Sequence, residues 1–402
     1  MACDHASHPI GMTGGYRQPL CPILKMKTIL IISILFGTFN CAFSQNDNRW
    51  FIEKKNKQIG YIDSTGKEIF LDKFDILDSE FHSGLVFFQK GKKRGFLDIN
   101  GATVFSSKYL WGHFSEGLLP YKDKTGFYYL NTKGEKAIDI QKLKMPKGKE
   151  VSEIFQFKYG LAMIRIKDIG FNDFDDGNSC ISFAENVNLY PGNWLYGFID
   201  KSGKWSIEPE LESATTFNDS ISIVEQNNKT YFLTTCGNFI FIQNKNVKEF
   251  SEGFAIEYTD DGCYFVNRQG ERVGNSSFQR ANPFSDGMAA VQIGDKWGFI
   301  DTTGTIMIAP KYYVRSDFSE GLAAVSLESD TISNGGSFIE AFIDKTGQEV
   351  IPFKRNIDYG KFQNGIAKGR RFIYSDGRYT GYYELFYINK KDEKIWSEII
   401  KQ

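Results

Sequence analysis

A short pattern returns nine times along this chain. An aromatic residue is followed by an aliphatic one, then by Asp or Asn, and usually by Gly three residues further on. The copies open at Tyr61, Phe96, Tyr129, Phe198, Phe232, Phe265, Phe299, Phe342 and Tyr387. The first position is a ring in all nine and the second is aliphatic in all nine; Thr234 replaces the acid or amide once. A second pattern, Phe-x-x-Gly-aliphatic, interleaves with the first at Phe81, Phe114, Phe157, Phe250, Phe284, Phe318 and Phe362. Phe217 opens an eighth copy in which Ser220 stands for the Gly. A chain built from equal small units has to stack them, because one unit buries neither of its faces alone.

The local chemistry of each unit predicts strands. In residues 292–308, Trp297, Phe299 and Asp301 alternate with Gly298 and Ile300, the period of two that marks a strand. The Asp then opens a turn, since its carboxylate can accept the backbone N–H two residues on, and the Gly supplies positive φ. A short strand follows, as at residues 306–308, and Pro209, Pro310 and Pro352 are read as its stops. The chain crosses to the Phe-x-x-Gly corner and enters another strand, such as 288–293. About three strands per unit result. The Asp, Asn or Thr at 200, 234, 267 and 301 fall 34, 33 and 34 residues apart. Composition agrees: 36 Phe, 20 Tyr and 39 Gly suit short strands joined by tight turns.

The fold expected is therefore all-β: tandem three-stranded units of about 34 residues in an open solenoid or superhelical array. A closed β-propeller is the alternative, its blades usually running to about 40–50 residues. Contact between the first and last units separates the two. The nine ring positions are read as a core ladder. Insertions fall near 136–150, 165–193, 326–338 and 368–383. The last three enter the same connection of the unit and would lie on one face.

The stretches from Lys296 to Asp301 (KWGFID) and from Phe318 to Val325 (FSEGLAAV) resemble the bacterial WG, or KWG, repeat. Weaker copies keep the Gly and lose the Trp, as at Gly60, Gly95 and Gly197. Tyr128, Tyr231, Tyr264, Ala341 and Phe386 depart from it by standing where the motif has Gly. The resemblance implies an exported β-rich repeat protein with no common catalytic activity.

Before the repeats, residues 28–36 (TILIISILF) follow Met26-Lys27 and precede Ala42-Phe43-Ser44. That is the three-part layout of a secretory signal peptide, too short for a membrane span. Met26 reads as the true start, with residues 1–44 an over-long start plus leader and 45–402 a single repeat domain. Cys41 as a lipid-bearing residue is the minor alternative, though Phe39-Asn40 is bulky where small residues are wanted. The exported chain keeps Cys180, Cys236 and Cys263, an odd number that makes no disulfide framework. With 48 Lys+Arg against 49 Asp+Glu, no basic surplus suggests nucleic acid.

Signals for chemistry are sparse. His82 and His113 follow no metal-ligand spacing, and neither a Gly-x-Ser-x-Gly elbow nor a Walker loop occurs. The acidic run Asp173, Asp175 and Asp176 fails the EF-hand pattern, because Phe174 falls where an oxygen ligand is needed. No cofactor is implied. The function read from the chain is a non-catalytic exported scaffold presenting loops to a protein or surface glycan. Tyr190, Trp194, Tyr379, Tyr382 and Tyr383 in the insertions are its candidate binding rings. The rivals are a glycan or peptide hydrolase using Asp173, Asp175 and Asp176, and a purely structural envelope protein.

Overall fold

Apolar residues at every second position, broken by Gly corners, fold back as antiparallel meanders. In the computed structural model the described residues (49–108, 110–170, 181–182, 194–327 and 339–402) form nine such sheets within one unit, Ser44–Gln402. We call them blades 1 to 9: residues 50–72, 76–106, 118–139, 149–211, 213–242, 254–278, 280–312, 314–355 and 357–401. Blade 7 shows the full plan: Arg280–Ala281, Met288–Ile293, Lys296–Asp301 and Ile306–Tyr312, each pairing with the next. Five blades have four strands in this order, three have three, and blade 4 gains Ile181–Ser182, parallel to Lys149–Lys158. The expectation of three strands per unit is thus corrected. In blades 2, 5, 7 and 8 the added strand is a two-residue pairing ahead of the corner, too short to show as a period; in blade 9 it is Ile357–Gln363.

The two sequence patterns are the two halves of one contact. The ring on the strand that is third in the four-strand plan, and the middle one in blades 1, 3 and 6, packs on the corner Phe of the next blade. The pairs are Tyr61–Phe81, Phe96–Phe114, Tyr129–Phe157, Phe198–Phe217, Phe232–Phe250, Phe265–Phe284, Phe299–Phe318 and Phe342–Phe362. Their centroids lie 4.7–4.9 Å apart in tilted or edge-on geometry. All nine third-strand rings are at most 3% exposed. Such pairs add about 0.5–1.5 kcal/mol each beyond burial of their area.

Polar groups of the corner lock the same seams. Ser115, Ser251, Ser285 and Ser319 donate through Oγ to the carbonyls of Phe157, Phe284, Phe318 and Phe362, at 2.5–2.8 Å. The corner acids accept N–H bonds from the next corner: Glu116 from Gly160, Asp219 from Gly253, Glu252 from Gly287, Asp286 from Gly321, Glu320 from Gly365. Four of these acids also meet a cation that follows the Asp or Asn turn residue of the next blade. These are Lys201–Glu116, Arg268–Asp219, Lys345–Asp286 and Lys390–Glu320, at 2.6–3.3 Å. Exposed pairs like these are worth about 0–1 kcal/mol, so the rings dominate the seam.

Blades 1 and 9 touch, which overturns the open solenoid: the chain closes into a nine-bladed β-propeller. Trp50, Ile52 and Ile62 of blade 1 share a buried cluster with Ile366 and Tyr387 of blade 9. Trp50 Nε1 donates to the Gln363 carbonyl at 3.0 Å, and the Tyr387 hydroxyl donates to the Phe51 carbonyl. By the repeat offset the corner of blade 1 falls on Gln45, outside the described residues, and Trp50 supplies the bulk here instead. Trp50 sits opposite Ile62; the equivalent residues elsewhere are Val86, Leu119, Ala162, Ser222, Ala255, Ala289, Ala323 and Ala367.

The prolines do not stop the fourth strand. Pro209, Pro310 and Pro352 lie inside Trp205–Leu211, Ile306–Tyr312 and Glu349–Arg355, where the register shifts. This is an edge strand, where a missing N–H is tolerated. Its bulge presses on the Gly of the Trp-Gly pair: a Cβ on Gly298 would stand 2.4 Å from the Ile308 oxygen and 2.8 Å from the Pro310 nitrogen. Blades 5 and 9 carry Tyr231 and Phe386 at this position and run in unbroken register there.

Two outcomes follow for unfolding experiments. Gly298→Ala should cost about 1–3 kcal/mol through overpacking. Phe318→Ala should cost about 3–5 kcal/mol, whereas Met307→Ala, half-exposed on the fourth strand, should stay within about 0.5 kcal/mol. Denaturant melts of the three variants check both.

Candidate interaction surface on blade 9

The repeated acids serve the turns. Asp301 Oδ1 accepts from the N–H groups of Thr303 and Thr305 and from the Thr303 hydroxyl, at 2.6–3.0 Å. Asp63, Asp200 and Asp344 do the same with Thr65, Ser202 and Thr346. The hydroxyl bond, helped by the backbone N–H groups, holds these four carboxyls below the usual range. His82 and His113 stack across the seam of blades 2 and 3, centroids 4.2 Å apart, and burial holds His82 below its ordinary value. Among the described residues no group of three or more His, Cys, Asp or Glu side chains is placed to share a metal ion, and no helix is long and apolar enough to cross a membrane. Cys236 is exposed and Cys263 buried, both as thiols. Asp173, Asp175, Asp176, Cys180, the 326–338 insertion beyond its ends, and the leader with Cys41 lie outside the described residues.

The candidate binding rings separate into two places. Tyr190 lies outside the described residues. Trp194 begins the third strand of blade 4, half-buried, with the Arg165 guanidinium 4.8 Å from its ring centre. It is not the Trp of a Trp-Gly pair: Tyr196 takes that place, opposite Leu211 as Trp297 is opposite Tyr312. Tyr379, Tyr382 and Tyr383 sit together on blade 9, across the ring.

There the second and third strands, Ile366–Ser375 and Arg378–Asn389, are 10 and 12 residues long; in blade 7 both have 6. The 368–383 insertion is therefore an extension of the hairpin. Its tip is a two-residue turn with Asp376 and Gly377 both at positive φ, the geometry that suits the strand twist. The first strand stops pairing at Arg371 and the fourth at Tyr382. The segment between overhangs both neighbours.

Rings collect on this overhang. Tyr379 lies 5.9 Å from Phe372 and 5.8 Å from Tyr374, and its hydroxyl donates to Gln402 Oε1 at 2.8 Å. Tyr374, Tyr379 and Tyr382 are 36–37% exposed; Tyr383 is half-buried, and burial raises its phenol. Arg370 pairs with Asp358 and Arg371 with Glu384 at its base. Sequence reading missed Phe372 and Tyr374. The alternation of Phe372, Tyr374 and the rings after the Asp-Gly turn is the hairpin signal that could have found them.

Beside the hairpin, at the seam of blades 8 and 9, Glu340 is buried and accepts the Tyr359 N–H at 2.7 Å. Burial, with Asp358 nearby, pushes its carboxyl up to about 7. A carboxyl raised in the folded state gives stability that is full below its unfolded value and is lost as pH rises through the folded one. Its share of stability should fall by roughly 3 kcal/mol between about pH 4.5 and 7. Glu340→Gln should remove that share: its melting temperature should match wild type near pH 4.5 and exceed it by several degrees at pH 8, as calorimetry would read.

A family model, the WG containing repeat, matches residues 59–93, 196–229, 265–297 and 297–329. No curated protein matches the chain. Among solved structures, a eukaryotic initiation factor is 9% identical over 88% of this chain and 96% of its own, with TM-score 0.50. The dihydro-heme d1 dehydrogenase NirN is 12% identical over 90% and 75%, with TM-score 0.38. Apo AztD from Citrobacter koseri is 11% identical over 88% and 96%, with TM-score 0.33. At these identities the first likeness concerns the fold alone. The chain is a β-propeller in which four segments match the WG containing repeat.

Proposed function

We propose that this propeller is a non-catalytic, exported scaffold that holds a protein or surface-glycan partner on the blade 9 hairpin. The carrying observation is the overhanging tip, where Tyr374 and Tyr379 are exposed and in ring contact, with exposed Tyr382 at its base. Rings on a rigid hairpin offer large contact area at little entropic cost, as at binding hot spots. Export rests on the leader read in residues 26–44 and is tested by where the mature chain is recovered. The acids of the repeats are occupied by turns and seams, so a hydrolase would have to draw on Asp173, Asp175 and Asp176.

The test is a cross-linked pull-down from the native envelope with wild type and with Tyr374→Ser/Tyr379→Ser/Tyr382→Ser. Loss of partner recovery by about tenfold or more, roughly 1.4 kcal/mol, with an unchanged melt, supports the hairpin. Equal recovery refutes it.

A further inference from the structure

The seams of blades 7–8 and 5–6 are built on one plan but filled differently. In blade 7, Trp297 stands opposite Tyr312, and the Arg315 guanidinium of blade 8 lies 3.9 Å from the indole centre. Val325 of blade 8 closes the wall. At the seam of blades 5 and 6 the same four places are held by Thr230 and Ile242 of blade 5, Val247 of the connection, and Glu257 of blade 6. An indole and a phenol have become a hydroxymethine and a sec-butyl group, and the guanidinium is gone.

The result is a cleft of about 480 Å³ between blades 5 and 6, within the size range of ligand pockets. Phe232, Ile242, Val247 and Val266 form its apolar floor, and Asn244, Glu257 and Arg272 its polar rim. Arg272 Nε bonds Glu257 at 2.6 Å, and its guanidinium lies 3.7 Å from the Tyr264 ring centre, so the rim is held in place. Thr230 lies on the same face of its strand as Phe232, is 3% exposed, and its Oγ1 has no hydrogen-bond partner among the described residues. A buried hydroxyl without a partner is costly. Beside the cleft, Phe239–Ile242 is the free edge of the blade 5 sheet. Phe239 and Phe241, 41% and 58% exposed, stand at its outer face beside Tyr231.

We infer that this cleft is a binding socket for an aromatic side chain, carried on an extended segment of a partner protein that lies along the Phe239–Ile242 edge. The repeat itself shows the fit, since blade 7 fills the equivalent space with an indole. A partner's aromatic ring would lie against Phe232, Ile242, Val247 and Val266, and its main chain would take the free edge bonds, with specificity left to the socket. This site is separate from the blade 9 hairpin and does not rest on it.

The test is calorimetric titration of the full exported chain with the capped peptides Ac-Val-Trp-Val-Thr-NH2 and Ac-Val-Ala-Val-Thr-NH2 and with N-acetyl-tryptophanamide. The Trp peptide should bind at least tenfold tighter than both others. Thr230→Trp, which fills the socket from within, should raise the melting temperature and abolish that binding. Asn244→Trp, plugging the mouth, should also abolish it and replaces Thr230→Trp if that variant does not fold. No binding of the Trp peptide, equal binding of the Ala peptide, or unchanged binding to a folded plugged variant would overturn the assignment. So would equally tight N-acetyl-tryptophanamide, which would make the socket a site for a free aromatic compound.

Discussion

One ring-on-ring contact, repeated around the molecule, carries the structure. A third-strand Phe or Tyr meets the next corner Phe at 4.7–4.9 Å in eight seams. No blade has a core of its own; the buried clusters lie between blades, as with Phe299, Phe318 and Val325 across one seam. Stability is therefore shared by neighbours, and closure matters because it leaves no terminal blade with a bare face. Where the ring pair fails, at the seam of blades 9 and 1, Trp50 and the Tyr387 hydroxyl substitute for it.

Much of this was legible in the residues. Both motifs, their nine-fold return and the Asp turns could be read because each depends on neighbours within about six residues. The partner of each ring could not, since a corner Phe 18–20 residues away, or 28 for Tyr129 and Phe157, fits either its own unit or the next. Closure was hidden for a similar reason: it depends on the angle accumulated over nine seams, and no single motif encodes that angle. Trp50, at a place where the later blades hold Ala, Ser, Val or Leu, was the residue that signalled a special seam. The prolines misled because a Pro on an edge strand makes a bulge there and does not end the strand.

The candidate sites follow from departures from the repeat. The overhang of blade 9 arises from longer strands on a standard hairpin. The cleft of blades 5 and 6 lies where Thr230, Ile242, Val247 and Glu257 stand in place of the larger Trp297, Tyr312 and Arg315 of the blade 7–8 seam. The first was read from the sequence as the 368–383 insertion with Tyr379, Tyr382 and Tyr383; the second was not, because a site in a repeat protein is defined by what neighbouring units do and this one does not. Equivalent copies fix the frame, and the irregular copies are free to bind.

Closure is tested most directly by the distance between the ends. With Cys180 and Cys236 changed to Ser, spin labels on Ser64→Cys and Lys394→Cys report it, because the Gly66 turn packs on the Ile395 backbone. A ring predicts a label separation of at most about 20 Å. Nine sheets stacked about 10 Å apart in an open array would place the labels roughly 80 Å apart, and such a value would contradict the propeller.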